Sequence, residues 1–314
     1  MLLQFKNITQ LLDHFKEKQT CIDYLEQQRW NGKPTCPHCG HEKVYRTKTG
    51  FRCAGEGCYK KFSVLVGSIY ENTKIPLRLW FAAIYLATTH KKGISSLQLA
   101  TDLGLSQKTT WHLMHRIRET LKDADADMPL TGIVEVDESY VGGKFKNKHK
   151  DKRAEGGQGR SGKGKFSVVG MVQRDGKVKT FVVPNTNADI LEPLIEEFVD
   201  RDAVIVTDAY KSYNGLKNKF KHVVVKHNGV DGGYVVKEND HKFHTQNIEN
   251  YWAVFKRGYV GIYHYMSFPH LHRYLTEFGY RYNNRTKSSQ EKFELAIRQS
   301  MDKRLKWAQL IPKK

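Results

Sequence analysis

The stretch Ile133-Val-Glu-Val-Asp137-Glu-Ser-Tyr140 decides the fold of the longest part of this chain. Its β-branched and aromatic residues predict a strand with a buried face. An aspartate in the middle of a strand normally weakens that strand. We therefore interpret Asp137 as a residue that the fold directs towards a bound metal, and the strand as the first element of a sheet.

Two further segments repeat this pattern of an apolar element that carries an acid. Val204-Ile-Val-Thr-Asp208 predicts a buried strand that ends in an aspartate. The segment around Glu249 predicts a helix, because Ile248, Trp252 and Phe255 recur at helical spacing. Lys256 follows Glu249 by seven residues, or about two helical turns, so the two side chains project from one side.

Three carboxylates on two strands and one helix form a chemically meaningful set. Each acid alone is typical of a solvated strand end, but the ordered set can hold two divalent ions. Mg²⁺ suits ligands that are all oxygen and leave room for phosphate and water. The sequence therefore predicts Asp137, Asp208 and Glu249 as catalytic ligands of Mg²⁺, with Mn²⁺ as a possible substitute.

Working outward from this set, the 314 residues divide into four segments of a mixed α/β protein. A strand-and-helix domain is expected at the C-terminal side, after an acidic linker that ends in Pro129. The expected domains are an N-terminal helical segment at 1–30, a zinc ribbon at 31–66, a helix-turn-helix domain at 67–125 and a catalytic domain at 130–300 with a basic, glycine-rich insert at 142–165.

Four cysteines in the second segment have the spacing of a zinc site: Cys36, Cys39, Cys53 and Cys58. Two short loops of this kind place four thiolates tetrahedrally around one structural Zn²⁺. Cys21 lies on the apolar face of the first helical segment and is expected to be buried there as a small hydrophobic residue. The ribbon either binds DNA or braces the next domain, and the spacing does not separate these roles.

The third segment predicts two helices joined by a tight turn. Leu99 and Leu103 form a short apolar face, Gly104 makes the turn and Ser106 caps the next helix. The exposed start of that second helix carries Lys108, as the DNA-reading helix of a helix-turn-helix requires. An ordinary three-helix bundle is the alternative.

Charge favours a nucleic-acid partner. Lys and Arg number 52 against 33 Asp and Glu, and the formal net charge is +19. Such a protein attracts polyanions, and its binding to DNA should weaken steeply with salt. In the basic insert, Lys144, Lys146 and Lys148 are expected to contact the phosphate backbone, the alternative being a solvated loop.

No apolar run reaches the ~20 residues of a membrane span, so the expected location is cytoplasmic, without a membrane partner.

The combined motifs carry a family resemblance. The order of zinc ribbon, helix-turn-helix and Val136-Asp-Glu-Ser-Tyr-Val-Gly-Gly-Lys144, followed by Thr207-Asp-Ala-Tyr-Lys211 and the segment around Glu249, resembles the DDE transposases of bacterial insertion sequences. More narrowly, it is similar to the zinc-ribbon group related to the eukaryotic Merlin elements. The resemblance covers roughly residues 20–300.

The resemblance implies an RNase H-like catalytic domain. It makes Asp137 and Asp208 the shared metal ligands and Glu249 the third ligand. Lys256, with its neighbour Arg257, would hold DNA phosphate, and Asn247 becomes a metal co-ligand or a contact to substrate. The expected partners are double-stranded DNA, as element terminal inverted repeats and as target, and further copies of this chain.

The expected reaction is metal-dependent strand cleavage followed by transfer of a 3′-hydroxyl to target DNA. One alternative is a catalytically silent DNA-binding regulator derived from a transposase, which the intact acidic set argues against. A second alternative is a hydrolytic nuclease such as a junction resolvase. A structure-selective nuclease has little need of a sequence reader, so the ribbon and the predicted helix-turn-helix argue against it.

Overall fold

The computed structural model describes residues 5–122, 126–143, 165–226, 234–238 and 241–311. The α-helices in these ranges are α1 (Ile8–His14), α2 (Lys18–Trp30), α3 (Leu77–Thr89), α4 (Ser96–Leu103), α5 (Gln107–Thr120), α6 (Ala188–Phe198), α7 (Gln246–Gly258), α8 (Phe268–Asn283), α9 (Ser289–Gln299) and α10 (Trp307–Leu310). The strands are β1 (Val44–Thr47), β2 (Gly50–Cys53), β3 (Lys61–Phe62), β4 (Ile133–Val141), β5 (Phe166–Gln173), β6 (Val178–Val183), β7 (Val204–Thr207), β8 (Lys221–Val224), β9 (Val236–Glu238) and β10 (His241–Phe243). Within the described ranges, no helix is both long enough and apolar enough to cross a membrane.

The chain divides into two compact units. One unit combines Met1–Lys122 with Asn284–Lys314, and the other is Asp123–Asn283. The sequence predicted a catalytic domain that runs to residue 300, whereas the structure assigns residues 284–300 to the unit that contains the N-terminal helices. The physical reason lies in α9, whose Phe293 is buried against Phe5, Phe15 and Phe81 of the N-terminal part of the chain.

An aromatic cluster forms the core of the first unit. Phe15, after α1, lies 4.6 Å from Phe81 of α3 between ring centroids. Phe293 of α9 lies 5.6 Å from Phe81 and 5.4 Å from Phe5. All four side chains are buried. Edge-to-face aromatic pairs of this kind add about 0.5–1.5 kcal/mol each beyond the apolar area that they bury.

The ribbon in this unit is a small antiparallel sheet in the order β1-β2-β3. Phe51 and Phe62 stack on one another at 5.6 Å, and Trp30 at the end of α2 packs edge-on against both rings. Arg29 donates hydrogen bonds to the carbonyls of Val64 and Val66. The last turn of α2 therefore holds the ribbon through both apolar and polar contacts.

The three helices after the ribbon have well-defined ends. Ser95 and Ser106 cap α4 and α5, each accepting a hydrogen bond from a backbone N–H of its helix. Gly104 ends α4 with φ +64°, a left-handed conformation that glycine adopts without steric cost. Thr110 of α5 donates to the carbonyl of Ser96. Gly104 and Ser106 thus take the turn and cap positions expected from the sequence.

The second unit is built on a five-stranded sheet in the order β6-β5-β4-β7-β8. Strand β5 runs antiparallel to both of its neighbours, β4 and β6, whereas β4, β7 and β8 run parallel. This mixed α/β topology, with β4 at the centre, is consistent with the RNase H-like fold that the family resemblance implies. Strands β9 and β10 form a separate antiparallel pair.

Both faces of the five-stranded sheet are covered. On one face, side chains of β4 and β5 pack with α6 and with a 3₁₀ helix at Lys211–Asn218. On the other face, apolar side chains of β5 and β6 pack with α7 and α8. Residues of β4 alternate between these two cores, so Asp137 and Glu135 share the face that α7 covers. The helix that carries Glu249 is therefore set against the strand that carries Asp137.

Candidate functional site

The four predicted cysteines come together in the ribbon. Among the described residues, they are the one group of three or more His, Cys, Asp or Glu ligand atoms that all lie within 4.8 Å of one another. The Sγ atoms of Cys36 and Cys58 are 3.8 Å apart, and those of Cys39 and Cys53 are 3.5 Å apart. Ligands about 2.3 Å from a tetrahedral Zn²⁺ are separated by about 3.8 Å, so the cluster fits a zinc ion.

The backbone around the cluster supports it. The N–H of Gly55 donates to Sγ of Cys53 at 3.2 Å, and Gly57 has φ +76°. A hydrogen bond of this kind orients the sulfur that would bind the metal. Cys21 is buried on α2 and lies outside the cluster.

Asp137 and Asp208 lie on neighbouring parallel strands. The register pairs Glu135 of β4 with Val206 of β7. Counting two residues onward along both strands places Asp137 beside Asp208, which directly follows β7. Adjacent strands are about 4.8 Å apart, so the fold brings these two predicted acids to the same end of the sheet.

Electrostatics agrees with this proximity. Burial is the largest cause that raises the pKa of Asp137 to about 7, and the nearby carboxylates of Glu138, Asp208 and Glu249 contribute to the same shift. Like charges that share a site disfavour ionisation, and a cation among them would relieve their repulsion. Asp208 accepts a hydrogen bond from the N–H of Tyr210, which fixes its carboxylate at the end of β7.

Glu249 approaches the two aspartates because α7 packs closely on the sheet. The residue paired with Asp137 on β5 is Gly170. A Cβ atom there would lie 2.6 Å from Trp252 and 2.7 Å from Ile248, both on α7, so only glycine leaves room for the helix. The exposed Glu249 carboxylate accepts a hydrogen bond from the Thr245 hydroxyl at 2.7 Å.

The donor set of Asp137, Asp208 and Glu249 fits a divalent cation in chemistry, since all of its atoms are carboxylate oxygens. It is looser than the cysteine cluster, because among the described residues only the four cysteines have ligand atoms that all lie within 4.8 Å of one another. Glu249 is exposed on the surface of α7.

A second acid on β4 holds the start of α7. The side chain of Glu135 is fully buried and accepts hydrogen bonds from the N–H groups of Asn247 and Ile248 and from the Asn247 amide. Arg174 forms an ion pair with it at 3.1 Å. The Asn247 side-chain NH₂ group is bound to Glu135, and the ligand or DNA contact expected for Asn247 stays a prediction. Asn247 gave no sign of this pairing in the sequence, because 112 residues separate the two.

Glu138 points to the opposite face of the sheet, as strand alternation predicts. Its carboxylate accepts a hydrogen bond from the Tyr213 hydroxyl at 2.7 Å. Burial raises the pKa of Glu138, and the charge of Asp208 adds to this effect. Glu138 is thus a fourth acid near the aspartates, although its hydrogen bond joins it to the 3₁₀ helix.

The predicted cationic contacts fall in three places. Lys256 and Arg257 are exposed at the end of α7. Lys108 lies in the first turn of α5, with its ammonium 5.3 Å from the ring centre of Trp307. Lys144, Lys146 and Lys148, with most of the basic insert, lie outside the described residues.

A four-cysteine ribbon, together with an acid within β4 and another directly after the parallel strand β7, is consistent with a class of nucleic-acid-processing proteins, the zinc-ribbon transposases. Residues 129–283 match the ISXO2-like transposase domain, and residues 16–61 match the transposase zinc-ribbon domain. The chain belongs to this family of insertion-sequence transposases.

Individual relatives agree with this assignment. An uncharacterized protein in transposable element ISH50 of Halobacterium salinarum is 29% identical over 237 residues, which cover 70% of this chain and 77% of that protein. An uncharacterized transposase-like protein of Haemophilus influenzae is 32% identical over 115 residues, which cover 36% of this chain and 87% of that protein.

Solved structures give a weaker likeness. A chain of the Mos1 strand transfer complex has 14% sequence identity and a TM-score of 0.27, with coverage of 73% of this chain and 81% of that chain. The Mos1 transposase paired-end complex with left transposon end gives a TM-score of 0.28 at the same identity and coverage.

Proposed function

We propose that this transposase binds the ends of its insertion sequence and cuts and joins DNA strands at Asp137, Asp208 and Glu249. One observation carries the proposal: adjacent parallel strands and a closely packed helix bring three carboxylates to one end of the sheet. This intact acidic set does not favour the alternative of a silent DNA-binding regulator.

In this proposal Asp137, Asp208 and Glu249 would hold Mg²⁺, as two ions, with Mn²⁺ able to substitute. When bound, these ions supply positive charge that activates the attacking oxygen and stabilises the leaving oxygen. Asp137 must first lose the proton that its burial favours. Asp208 is held in place by the Tyr210 N–H, and Glu249 must leave the Thr245 hydroxyl to close the site.

The proposed reaction has two phosphoryl-transfer steps. Water attacks a phosphodiester at the element end, a new P–O bond forms, and the bond to the 3′ oxygen breaks to leave a 3′-hydroxyl. That hydroxyl then attacks a phosphodiester of target DNA in the same way, releasing a new 3′-hydroxyl on the target. Lys256 and Arg257, exposed on the helix of Glu249, would hold the backbone phosphates in register.

The first unit would supply recognition of the DNA. We infer that α4 and α5 act as a helix-turn-helix, with the exposed first turn of α5, including Lys108, directed to base edges. The four-cysteine ribbon holds its structural Zn²⁺ and either contacts DNA or braces these helices. Pairing of two element ends would require more than one copy of the chain, so a homo-oligomer is proposed for the synaptic complex.

The test uses the purified protein, Mg²⁺, a labelled terminal inverted repeat and a supercoiled target plasmid. The unmodified protein should join the labelled end to the plasmid. Asp137→Asn, Asp208→Asn and Glu249→Gln should each reduce joined product by at least about 1000-fold, since the acids act as one unit. Asp189→Asn, an exposed acid at the start of α6, is the matched control and should retain activity. Product that survives all three site substitutions would contradict the assignment.

A further inference from the structure

Glu135 is the most deeply buried acid near the candidate site. Its side chain has 0% exposure and lies on β4 two residues before Asp137, on the same face of the strand. A buried carboxylate is strongly unfavourable unless charged groups and hydrogen-bond donors surround it. Glu135 therefore has a specific set of partners, and their location indicates what it does.

Those partners come from the first turn of α7 and from the end of β5. The N–H groups of Asn247 and Ile248 donate at 2.8 and 3.1 Å, and the Asn247 amide donates at 2.7 Å. Arg174, directly after β5, donates to the same carboxylate and also to the carbonyl of Lys242. His244 Nδ1 lies 3.4 Å from Oε1.

The start of α7 lacks the usual local cap. The N-cap residue Thr245 makes no side-chain hydrogen bond to the helix N–H groups. Its hydroxyl instead donates to Glu249. The N–H groups that an N-cap side chain normally satisfies are bound by Glu135 from the sheet. A negative charge at this end also interacts favourably with the helix dipole.

We infer that Glu135 is a positioning residue that ties the first turn of α7 to β4 and so sets Glu249 against Asp137. This inference rests on the proposed function, because it gives Glu249 the third-ligand role. Glu249 directly follows Asn247 and Ile248, whose backbone N–H groups Glu135 binds. A shift of that turn would move the Glu249 carboxylate by a similar amount, while Asp137 and Asp208 would stay on their strands.

The experiment measures Mn²⁺ binding to the zinc-loaded full chain by calorimetry, without DNA. Glu135→Gln keeps the side-chain shape but loses the charge and presents an amide to the Asn247 and Arg174 donors. We expect the Kd for Mn²⁺ to rise about 10- to 100-fold, the usual effect of losing a group that orients a ligand. Hydrogen exchange should become faster at the amides of Asn247 and Ile248.

The matched control is Glu277→Gln. Glu277 is a second carboxylate with 0% exposure in the same unit, in an ion pair with Arg281 of α8. Its substitution should lower the melting temperature to a similar degree and leave the Kd for Mn²⁺ unchanged. Arg174→Lys keeps the positive charge but cannot contact both Glu135 and the Lys242 carbonyl. This milder variant tests the link between Glu135 and α7 even where Glu135→Gln fails to fold. It should raise the Kd several-fold.

A double substitution separates positioning from general structural damage. If Glu135 acts through Glu249, adding Glu135→Gln to Glu249→Gln should raise the Kd no further. Additive effects of the two substitutions would overturn the inference, and so would an unchanged Kd in Glu135→Gln or Arg174→Lys. Absence of Mn²⁺ binding by the unmodified chain is a different result, since it contradicts the proposed metal-dependent function itself.

Discussion

Asp137 carries a conflict between burial and charge. The strand that supports it has to be apolar to form the centre of the sheet, yet a metal ligand has to be ionised. Burial and the neighbouring acids raise the pKa of Asp137 to about 7. Without a divalent cation, the folded chain therefore retains a proton that the unfolded chain has already lost.

This proton gives a test based on pH. The carboxyl of Asp137 has a pKa near 3.8 in the unfolded chain and about 7 in the folded chain. Its contribution to stability is thus fully present below pH 4 and is lost as the pH rises through 7. We expect Asp137→Asn to be the more stable protein at pH 8 without added Mg²⁺, by on the order of 2 kcal/mol.

The measurement is a series of calorimetric melting temperatures between pH 5 and 8 for the zinc-loaded protein. The curves of the unmodified chain and Asp137→Asn should diverge with rising pH, and added Mn²⁺ should stabilise the unmodified chain but not Asp137→Asn. Asp189→Asn, at an exposed position, should follow the unmodified chain. Parallel curves for all three proteins would mean that the carboxyl of Asp137 is ordinary in its acidity.

For single residues, the sequence was informative where a charged side chain occurs in a segment whose other residues favour a buried strand. An aspartate within an apolar strand or directly after one is unusual, so Asp137 and Asp208 could be proposed as metal ligands before the fold was known, and that role stays a prediction. Glu135 lies in the same strand, but its partner groups at Asn247 and Ile248 are more than 100 residues away. Alternation along a strand gives the face of a side chain and does not identify what covers it.

Among the elements, the zinc ribbon is the one whose folding depends most on a bound metal and least on a hydrophobic core. Four cysteines, three short strands and two stacked phenylalanines bury little apolar area. Zinc binding in peptides of this kind contributes on the order of 10 kcal/mol to folding. The spacing of the cysteines predicted the cluster because local loops alone determine its geometry.

Substitution of one ligand should therefore unfold the ribbon. We expect Cys53→Ser to lose the single equivalent of zinc and to increase hydrogen exchange across β1 to β3. Cys21→Ala changes a buried cysteine of α2 outside the cluster and should keep one zinc per chain. Native mass spectrometry counts the metal directly. A full equivalent of zinc in Cys53→Ser would contradict the four-thiolate site.

The position of α7 shows what element-level prediction missed. Helical periodicity correctly placed Ile248, Trp252 and Phe255 on a buried face. It could not reveal that Gly170, on a strand far along the chain, leaves the space that this face fills. The close approach of α7 to the sheet depends on a glycine. Hydrophobic periodicity reports only where apolar side chains recur, so it gives no signal for a residue that has no side chain.

At the scale of the whole chain, the predicted C-terminal domain boundary differs from the structure. The amphipathic sequence of α9 predicts that one face of the helix is buried. It does not predict which of the two cores that face packs against. The aromatic cluster of Phe5, Phe15, Phe81 and Phe293 assigns it to the first unit. The first unit is therefore built from two separate parts of the chain.

Two core substitutions can test this division. Phe293→Ala should destabilise the first unit by about 3–5 kcal/mol, because it leaves a cavity among the aromatic rings. Hydrogen exchange should then accelerate in α1 to α3 and much less in β4, β5 and β7. Phe255→Ala, which empties the α7 core of the second unit, should give the reverse pattern. Equal acceleration in both units for either variant would contradict the division.

The discontinuous first unit has a consequence for the order of events during synthesis. The segment Asp123–Asn283, roughly 160 residues, is translated between the ribbon-bearing part of that unit and α9. At 5–20 residues per second this interval lasts roughly ten to thirty seconds. Throughout it, Phe15 and Phe81 have no Phe293 to cover them, so the nascent chain exposes this apolar surface until α9 has been translated. The half that would recognise DNA thus matures only after the half that would cut it has been translated.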